Sequence, residues 1–112
     1  MSYEIVFGRT FKENVRRLER RFPHVKADVG AGIRLLQNDP RIGAVIPRGH
    51  GARKLRLSSS DLRTGKRGGF RLIYLVEDEP SPRIYLLLLY AKPDRETVSP
   101  TEIVRLLAEI AS

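Results

Sequence analysis

Apolar residues at the start of the chain predict a strand followed by a helix. Tyr3–Phe7 alternates between apolar and polar side chains, which is typical of a strand. From Phe11 to Leu18 the apolar residues recur at helical spacing. Thr10 and Glu13, three residues apart, match a capping box, in which each side chain bonds an unpaired amide at the start of a helix. We therefore expect the first helix to begin near Thr10.

A second helix is predicted from near Pro23 to Gln37, because helical spacing of apolar residues resumes after the proline. Gly30 and Gly32 each cost a helix about 1 kcal/mol relative to alanine. We interpret these two glycines as allowing close packing against the first helix. The sequence Asn38-Asp39-Pro40 then ends the helix.

Three further strands are predicted after an irregular stretch. Arg53–Leu57 alternates, with Lys54 and Arg56 on one face and leucines on the other. Gly69–Glu77 alternates more strongly, and a polar, proline-containing turn leads from it into Arg83–Tyr90. That last strand is apolar on both faces, which indicates a position inside the sheet.

The chain closes with a predicted helix. Ser99 and Glu102 form a second capping box with Pro100 at the first helical position, and an apolar stripe runs from Ile103 to Ile110. The order β-α-α-β-β-β-α predicts one small α+β domain over residues 1–112. We expect an antiparallel sheet with the N-terminal helical hairpin on one face, and a C-terminal helix.

Composition excludes several functions. The 112 residues are 41% hydrophobic, as in a globular protein, and contain no cysteine for disulfides, thiolate catalysis or cysteine metal sites. His24 and His50 are isolated, no histidine is placed to activate Ser58–Ser60, and "TGKRGG" lacks the spacing of a phosphate-binding P-loop. We therefore expect neither a metal nor a cofactor. No signal sequence is evident and the longest apolar run, Ile84–Ala91, is far below the roughly 20 residues of a membrane span, so we expect a cytoplasmic protein.

The positive charge is concentrated in one part of the sequence. The net charge is +8, and residues 41–71 carry all of it, with nine basic residues against the single acid Asp61. Such a localised excess favours a polyanion partner over a merely solvated surface, although a charged solvent-exposed loop is the plain alternative. Five of these residues are the candidates for contact with such a polyanion: Arg48, Arg53, Arg63, Lys66 and Arg67.

A set of basic and aromatic residues outside the core pattern is the candidate site. Its members are Lys54, Arg56, Arg71, Tyr90 and Lys92. If the last three strands form a meander, alternation brings these side chains to one side of the sheet. Structural alternatives exist for three of them. Arg71 could pair with a glutamate, Tyr90 could be a rim tyrosine, and Lys92 could extend its charge from an apolar stem.

This set suits metal-independent RNA cleavage. The 2′-hydroxyl of RNA can attack the adjacent phosphate, and an arginine fork can bind the negative charge that develops there. A lysine or tyrosine can assist proton transfer if the positive field lowers its pKa towards neutrality. Such an enzyme would be slow alone and would depend on something that orients the 2′-hydroxyl.

The sequences "GKRGGFRLIYLV" and "RIYLLLLYAKPDRETVS", with a glutamate-bearing final helix, resemble the RelE/ParE superfamily of toxins from type II toxin–antitoxin modules, in particular its HigB-like branch. The likeness runs from about Lys54 to the C-terminus, and "YEIVFGRTFKENVRRL" is compatible with it. The resemblance implies a ribosome-dependent endoribonuclease that cuts mRNA in the ribosomal A site. It also implies a cognate antitoxin, often a helix-turn-helix protein.

The resemblance also implies roles for the candidate residues. Arg71 matches the family's arginine at the scissile phosphate, and Lys54 with Arg56 matches the basic pair on the preceding strand. Tyr90 and Lys92 lie where the family has its last catalytic groups. Some branches use histidine or glutamate as the general base, and neither stands at these positions, so the acid and base stay unassigned. The superfamily also contains DNA gyrase inhibitors, and a non-catalytic RNA-binding module is a further alternative.

Overall fold

A computed structural model describes residues 2–62, 68–92 and 94–111. Their regular elements are β1 (Glu4–Phe7), α1 (Arg9–Leu18), α2 (Val25–Asn38), β2 (Ala44–Val45), β3 (Arg53–Leu57), β4 (Phe70–Glu77), β5 (Arg83–Ala91) and α3 (Pro100–Ala111). This is a small α+β domain, and the predicted helices and long strands lie within a few residues of their expected bounds. No helix in the described part of the chain is both long and apolar enough to cross a bilayer.

The strands form one five-stranded sheet in the order β1-β5-β4-β3-β2. The pairs β3–β4 and β4–β5 are antiparallel, as the meander prediction required, and β2 pairs antiparallel with β3. β1, however, pairs in parallel with β5, with Glu4 opposite Arg83, so the sheet is mixed and the purely antiparallel prediction is wrong. β1 and β5 are far apart in the sequence and no short turn joins them. A short turn restricts two strands to antiparallel pairing, and this restriction is absent for β1 and β5.

The prediction missed the two-residue strand β2, which pairs with the start of β3. Its sequence is too short to show alternation. Pro47 and Gly49 follow directly and made the whole stretch look irregular.

The helical hairpin of α1 and α2 covers one face of the sheet, as predicted. Its core cluster joins Phe11 of α1 and Leu36 of α2 to alternate residues of the central strands, including Phe70, Leu72 and Tyr74 of β4. These five side chains are almost completely buried. This face, which we call the hairpin face, is a continuous apolar core.

The opposite face of the sheet is covered by α3 along β5. Ile103 and Leu106 of α3 pack in one cluster with Ile73 of β4 and with Leu88 and Tyr90 of β5. Arg56, on the neighbouring strand β3, is exposed, so α3 leaves the β3 side of this face open. We call it the α3 face.

The two capping-box predictions had different outcomes. At α3 the serine half of the box is confirmed, since the Ser99 hydroxyl accepts a hydrogen bond from the Glu102 amide at 3.1 Å, whereas the Glu102 carboxylate binds Arg95. At α1 the N-cap is Gly8, and the Thr10–Glu13 box is wrong. The Thr10 hydroxyl instead donates to Glu109 of α3 at 2.6 Å, and the Thr10 amide donates to the same carboxylate at 3.3 Å. A carboxylate distant in sequence thus performs the expected capping.

Two glycines lie where a side chain would collide with β3. A Cβ at Gly32 would come within 2.6 Å of the Leu57 side chain, so the lack of a side chain here allows α2 to pack closely against β3. The prediction that Gly32 allows close packing against the first helix is wrong. Gly69 has a φ of +91°, and a Cβ there would lie 2.2 Å from the Leu57 carbonyl oxygen. Glycine is therefore needed where the chain enters β4.

Candidate active site

Strand register brings three of the predicted catalytic residues into one row across the α3 face. Arg56 of β3 lies opposite Arg71 of β4, and Arg71 lies opposite Tyr90 of β5. Directly opposite residues in a sheet have their Cβ atoms about 5 Å apart and point to the same face. The convergence expected from alternation is confirmed for these residues, which we call the basic row.

Arg71 is the buried cation of the basic row, with only 5% of its surface exposed. Its Nη1 donates to the carbonyl oxygen of Phe70 at 3.2 Å, and no carboxylate pairs with it among the described residues. Burial lowers the pKa of the Arg71 guanidinium, and the charge of Arg56 lowers it further. The alternative that Arg71 forms an ion pair with a neighbouring glutamate therefore finds no partner in the described ranges.

Tyr90 adjoins Arg71 and is also 5% exposed. Its hydroxyl donates a long hydrogen bond of 3.4 Å to the carbonyl oxygen of Glu96. Burial raises the pKa of Tyr90 above its ordinary value, although the charges of Arg95 and Arg71 act in the opposite direction. Proton transfer by a tyrosine at this site was conditional on a positive field that lowers its pKa towards neutrality. At Tyr90 burial outweighs that field, so the side chain stays protonated at neutral pH.

Arg95 is a neighbour of this site that the sequence reasoning did not single out. Its guanidinium carbon lies 5.1 Å from the centre of the Tyr90 ring. Two of its nitrogens donate to the carboxylate of Glu102, one of them at 3.2 Å, and its Nε donates to the Thr97 carbonyl at 3.2 Å. This ion pair raises the pKa of Arg95.

The only sequence signal for this contact was the position of Glu102 in the first turn of α3, which was interpreted as capping. The carboxylate instead fixes the planar arginine group beside Tyr90. A guanidinium group placed over an aromatic face is attracted by the electrons of the ring.

The two predicted lysines stand at the margins of the basic row. Lys54 is half-buried on the same face, two residues before Arg56 and opposite Ile73. Lys92 follows the last residue of β5, and its amide donates to the Gly69 carbonyl at 3.1 Å. The backbone therefore holds Lys92 against the glycine that precedes β4.

The predicted RNA-contacting residues are more dispersed. Arg53 lies on the hairpin side of β3, and its Nη1 donates to the carbonyl oxygens of Arg41 and Gly43 at 3.1 and 2.8 Å. It therefore braces a loop and does not extend the basic row. Arg48 is exposed between β2 and β3, with a φ of +56°. Three further residues lie outside the described ranges: Arg63, Lys66 and Arg67.

The geometry presents hydrogen-bond donors to a dianionic or polyanionic group. Arg56 and Arg71 offer guanidinium groups from adjacent strands, and Tyr90 supplies a protonated hydroxyl beside them. No acidic side chain belongs to the row. Like charges that face each other across two strands destabilise a sheet, so this arrangement fits an anion that binds between them.

Comparison with known proteins agrees with the fold. A solved structure of the E. coli toxin RelE, an arginine-to-alanine double mutant in the free state, superposes on this chain with a TM-score of 0.60. The match covers 99% of this chain and 96% of that one at 18% sequence identity, which establishes a shared fold. No protein-family model matches the chain.

Proposed function

We propose that this protein is a toxin of a type II toxin–antitoxin module, of the HigB-like branch of the RelE/ParE superfamily, and that it cuts mRNA in the ribosomal A site. The shared fold with the toxin RelE supports the class of protein. The single observation that carries the chemistry is Arg71, a buried arginine that faces another arginine and has no carboxylate partner among the described residues.

Arg71 is costly to the folded protein unless an anion binds there. A buried charge without a counterion is destabilising by several kcal/mol, roughly 3–5 in proteins where one partner of a buried pair is removed. A phosphate between Arg56 and Arg71 would supply the missing charge. Sites where local rules of stability are broken are where function is expected.

The proposed reaction is an internal transesterification. The 2′-oxygen of one nucleotide attacks the adjacent phosphorus, its proton passes to a base, and the bond from phosphorus to the 5′-oxygen breaks. The 5′-oxygen takes up a proton, and the products carry a 2′,3′-cyclic phosphate and a 5′-hydroxyl. Arg71 and Arg56 stabilise the charge on the phosphorane, in the manner of an oxyanion hole.

The remaining groups are assigned by their position and ionisation. Tyr90 is protonated at neutral pH, because burial raises its pKa, so it suits hydrogen-bond donation to the leaving 5′-oxygen and not proton abstraction. Arg95 holds the Tyr90 ring in place. Lys54 and Lys92 stand at the margins and contribute charge, and the described residues leave the general base unassigned.

The ribosome would supply the orientation that this site lacks. Cleavage by this route requires the 2′-oxygen to lie in line with the scissile bond, and good orientation is worth about 7–11 kcal/mol. An mRNA codon held in the A site has a fixed backbone. The proposed partners are accordingly the ribosome with mRNA, and a cognate antitoxin, a helix-turn-helix protein, that blocks the basic row.

The test is incubation of the purified protein with translating ribosomes and a defined mRNA. We expect cleavage within the A-site codon, a 2′,3′-cyclic phosphate on the upstream fragment, and no cleavage where the attacking nucleotide carries 2′-hydrogen. Arg71→Ala should reduce the rate by about 10²–10³, as loss of an oxyanion donor does. Arg34→Ala, which removes an exposed arginine on α2, is the matched control and should cut as wild type does.

Three results would contradict the proposal. The mRNA could stay whole while translation proceeds, Arg71→Ala could cut at the wild-type rate, or the 2′-deoxy substrate could be cut normally. RNA binding without cleavage would support the non-catalytic alternative, and DNA cleavage complexes with gyrase would support the gyrase inhibitor.

A further inference from the structure

A depression lined by cationic side chains lies beside the basic row, along the outer edge of β5. We call it the β5-edge depression. β1 pairs only with Arg83–Leu86, so the outer edge of the last part of β5 has no neighbouring strand in the described chain. A depression of about 290 Å³ runs between this edge, the α1 helix and the residues that follow β5. The Leu89 amide at this edge donates to the Asn14 side chain of α1 at 3.0 Å, which holds α1 beside the strand.

Three arginines from separate parts of the chain line the depression. Arg17 lies on α1, Arg21 follows it, and Arg95 comes from the segment after β5. Among the described lining residues Asp94 is the one acid, and it pairs with Arg21 at 2.8 Å. Glu102, outside the lining, pairs with Arg95, so the uncompensated positive charge of the lining is that of Arg17. Arg17 forms no ion pair or side-chain hydrogen bond with the described residues.

The depression is continuous with the candidate active site. Tyr90 belongs to both, because it ends the basic row and lines the depression, and Arg95 packs on its ring. Another depression, of about 520 Å³, shares Arg17 with the first and is lined by Glu13, Arg16, Arg17 and Arg20 of α1 and its end. Positive groups thus follow one another from the sheet to the surface of α1.

We propose that the β5-edge depression binds the phosphodiester backbone of RNA next to the nucleotide held at the basic row, with Arg17 and Arg21 as phosphate-binding residues. This proposal rests on the proposed function, since it extends the path of the same RNA strand. The arginines of the lining come from separate parts of the chain and follow one another along a path. A polyanion such as RNA can contact such cations in succession, whereas a compact anion cannot. The excess charge in residues 41–71 gave no indication of this surface.

The test is a salt series of RNA binding, measured by fluorescence anisotropy with a labelled single-stranded oligoribonucleotide and without ribosomes. For single strands the logarithm of the affinity falls with the logarithm of salt concentration, by roughly 0.7 for each phosphate contact. Arg17→Ala should therefore weaken binding and reduce this slope by about 0.7, and Arg17→Ala with Arg21→Ala by about 1.4. Arg34→Ala, on α2, should leave both the affinity and the slope at wild-type values.

Arg17 is the decisive position, because its side chain has no ion pair or hydrogen bond with the described residues to lose. The double variant also loses the ion pair with Asp94, so its melting temperature must be measured beside the binding curve. An Arg17→Ala slope equal to that of wild type would overturn the proposal, as would an equal reduction in Arg34→Ala.

Failure of this proposal is separable from failure of the proposed function. If the wild-type protein binds RNA with the expected slopes but leaves translated mRNA whole, the proposed nuclease activity is contradicted and the proposed RNA-binding path is supported. A wild-type protein that cuts mRNA, with slopes that do not respond to Arg17→Ala, would remove the path and keep the nuclease.

Discussion

The two faces of the sheet are built from the same strands and differ in what they bury. On the hairpin face, Phe70, Leu72 and Tyr74 of β4 pack into a continuous apolar core. On the α3 face, the alternate residue Arg71 is as deeply buried but lies opposite Arg56. One strand therefore supplies stability with one set of side chains and a charged site with the other.

The polar groups of the two faces differ in the same way. On the hairpin side the polar contacts are complete, as when the Tyr74 hydroxyl accepts from the Gly43 amide at 2.9 Å, and Asp28 accepts from the Ser60 amide at 2.8 Å. On the α3 face the basic row has charge without a described counterion. The hairpin face therefore pairs its buried polar groups within the fold, whereas the α3 face buries a positive charge for which the described residues supply no counterion.

The largest expected effect comes from Arg71→Met, which replaces the charge with an apolar chain of similar length. Cleavage should fall by about 10²–10³, because the phosphate loses its donor. The free energy of unfolding should stay the same or rise by about 1–2 kcal/mol, because an unpaired buried charge is removed. Urea denaturation beside the ribosome assay measures both. A loss of more than about 1 kcal/mol of stability would mean that Arg71 is a structural residue.

The complementary change on the other face is Leu72→Ala. Its side chain is completely buried among the hairpin-face core, so the variant should lose about 2–5 kcal/mol of unfolding free energy. Cleavage per folded molecule should be unchanged. Leu35→Ala, at an exposed position of α2, is the control and should stay within about 0.5 kcal/mol of wild type. If Leu72→Ala abolished cleavage while the protein stayed folded, the two faces would not be independent.

A smaller effect is expected where α3 meets the start of α1. Glu109→Ala leaves the Thr10 amide and hydroxyl without their carboxylate, and loss of a helix cap costs about 1 kcal/mol. A double-mutant cycle with Thr10→Ala should show that the two changes are not additive. Additive losses would mean that the carboxylate does not act through Thr10.

The smallest effect is expected at an exposed pair at the start of α2. The His24 Nδ1 lies 2.7 Å from the Asp61 carboxylate, and this hydrogen bond raises the pKa of His24 and lowers that of Asp61. The raised histidine pKa stabilises the fold below the unfolded value of about 6.5, and this contribution is lost as the pH rises through the folded pKa. The lowered aspartate pKa stabilises above about 3.9 and is lost as the pH falls.

His24→Ala should therefore cost more unfolding free energy at about pH 5 than at about pH 9. Chemical denaturation at the two pH values measures the difference, which should be small because the His24 side chain is exposed. In an Asp61→Asn background the difference should become smaller, with only the charge of Asp28 still raising the pKa of His24. An equal cost of His24→Ala at both values would contradict the assignment.

The sequence by itself determined the local elements and the face on which each strand residue points. Strand side chains alternate with a period of two, so Arg71 had to point to the face of the sheet opposite to that of the core residues Phe70 and Leu72. The same rule placed Lys54 with Arg56. The Ser99 cap of α3 could also be predicted from the sequence, because it joins residues only three positions apart.

Only the tertiary structure decided which residues meet across elements. The β3–β4 register sets Arg56 opposite Arg71, and the packing of α3 brings Glu102 to Arg95. Thr10 had an apparent local partner in the sequence, yet it binds Glu109 from the other end of the chain. Contacts of this kind depend on how whole elements pack, and periodicity carries no information about them. The sequence predicted that the candidate residues share one face of the sheet. Their pairing across the strands, their burial and the contact of Arg95 with the Tyr90 ring could be seen only in the folded structure.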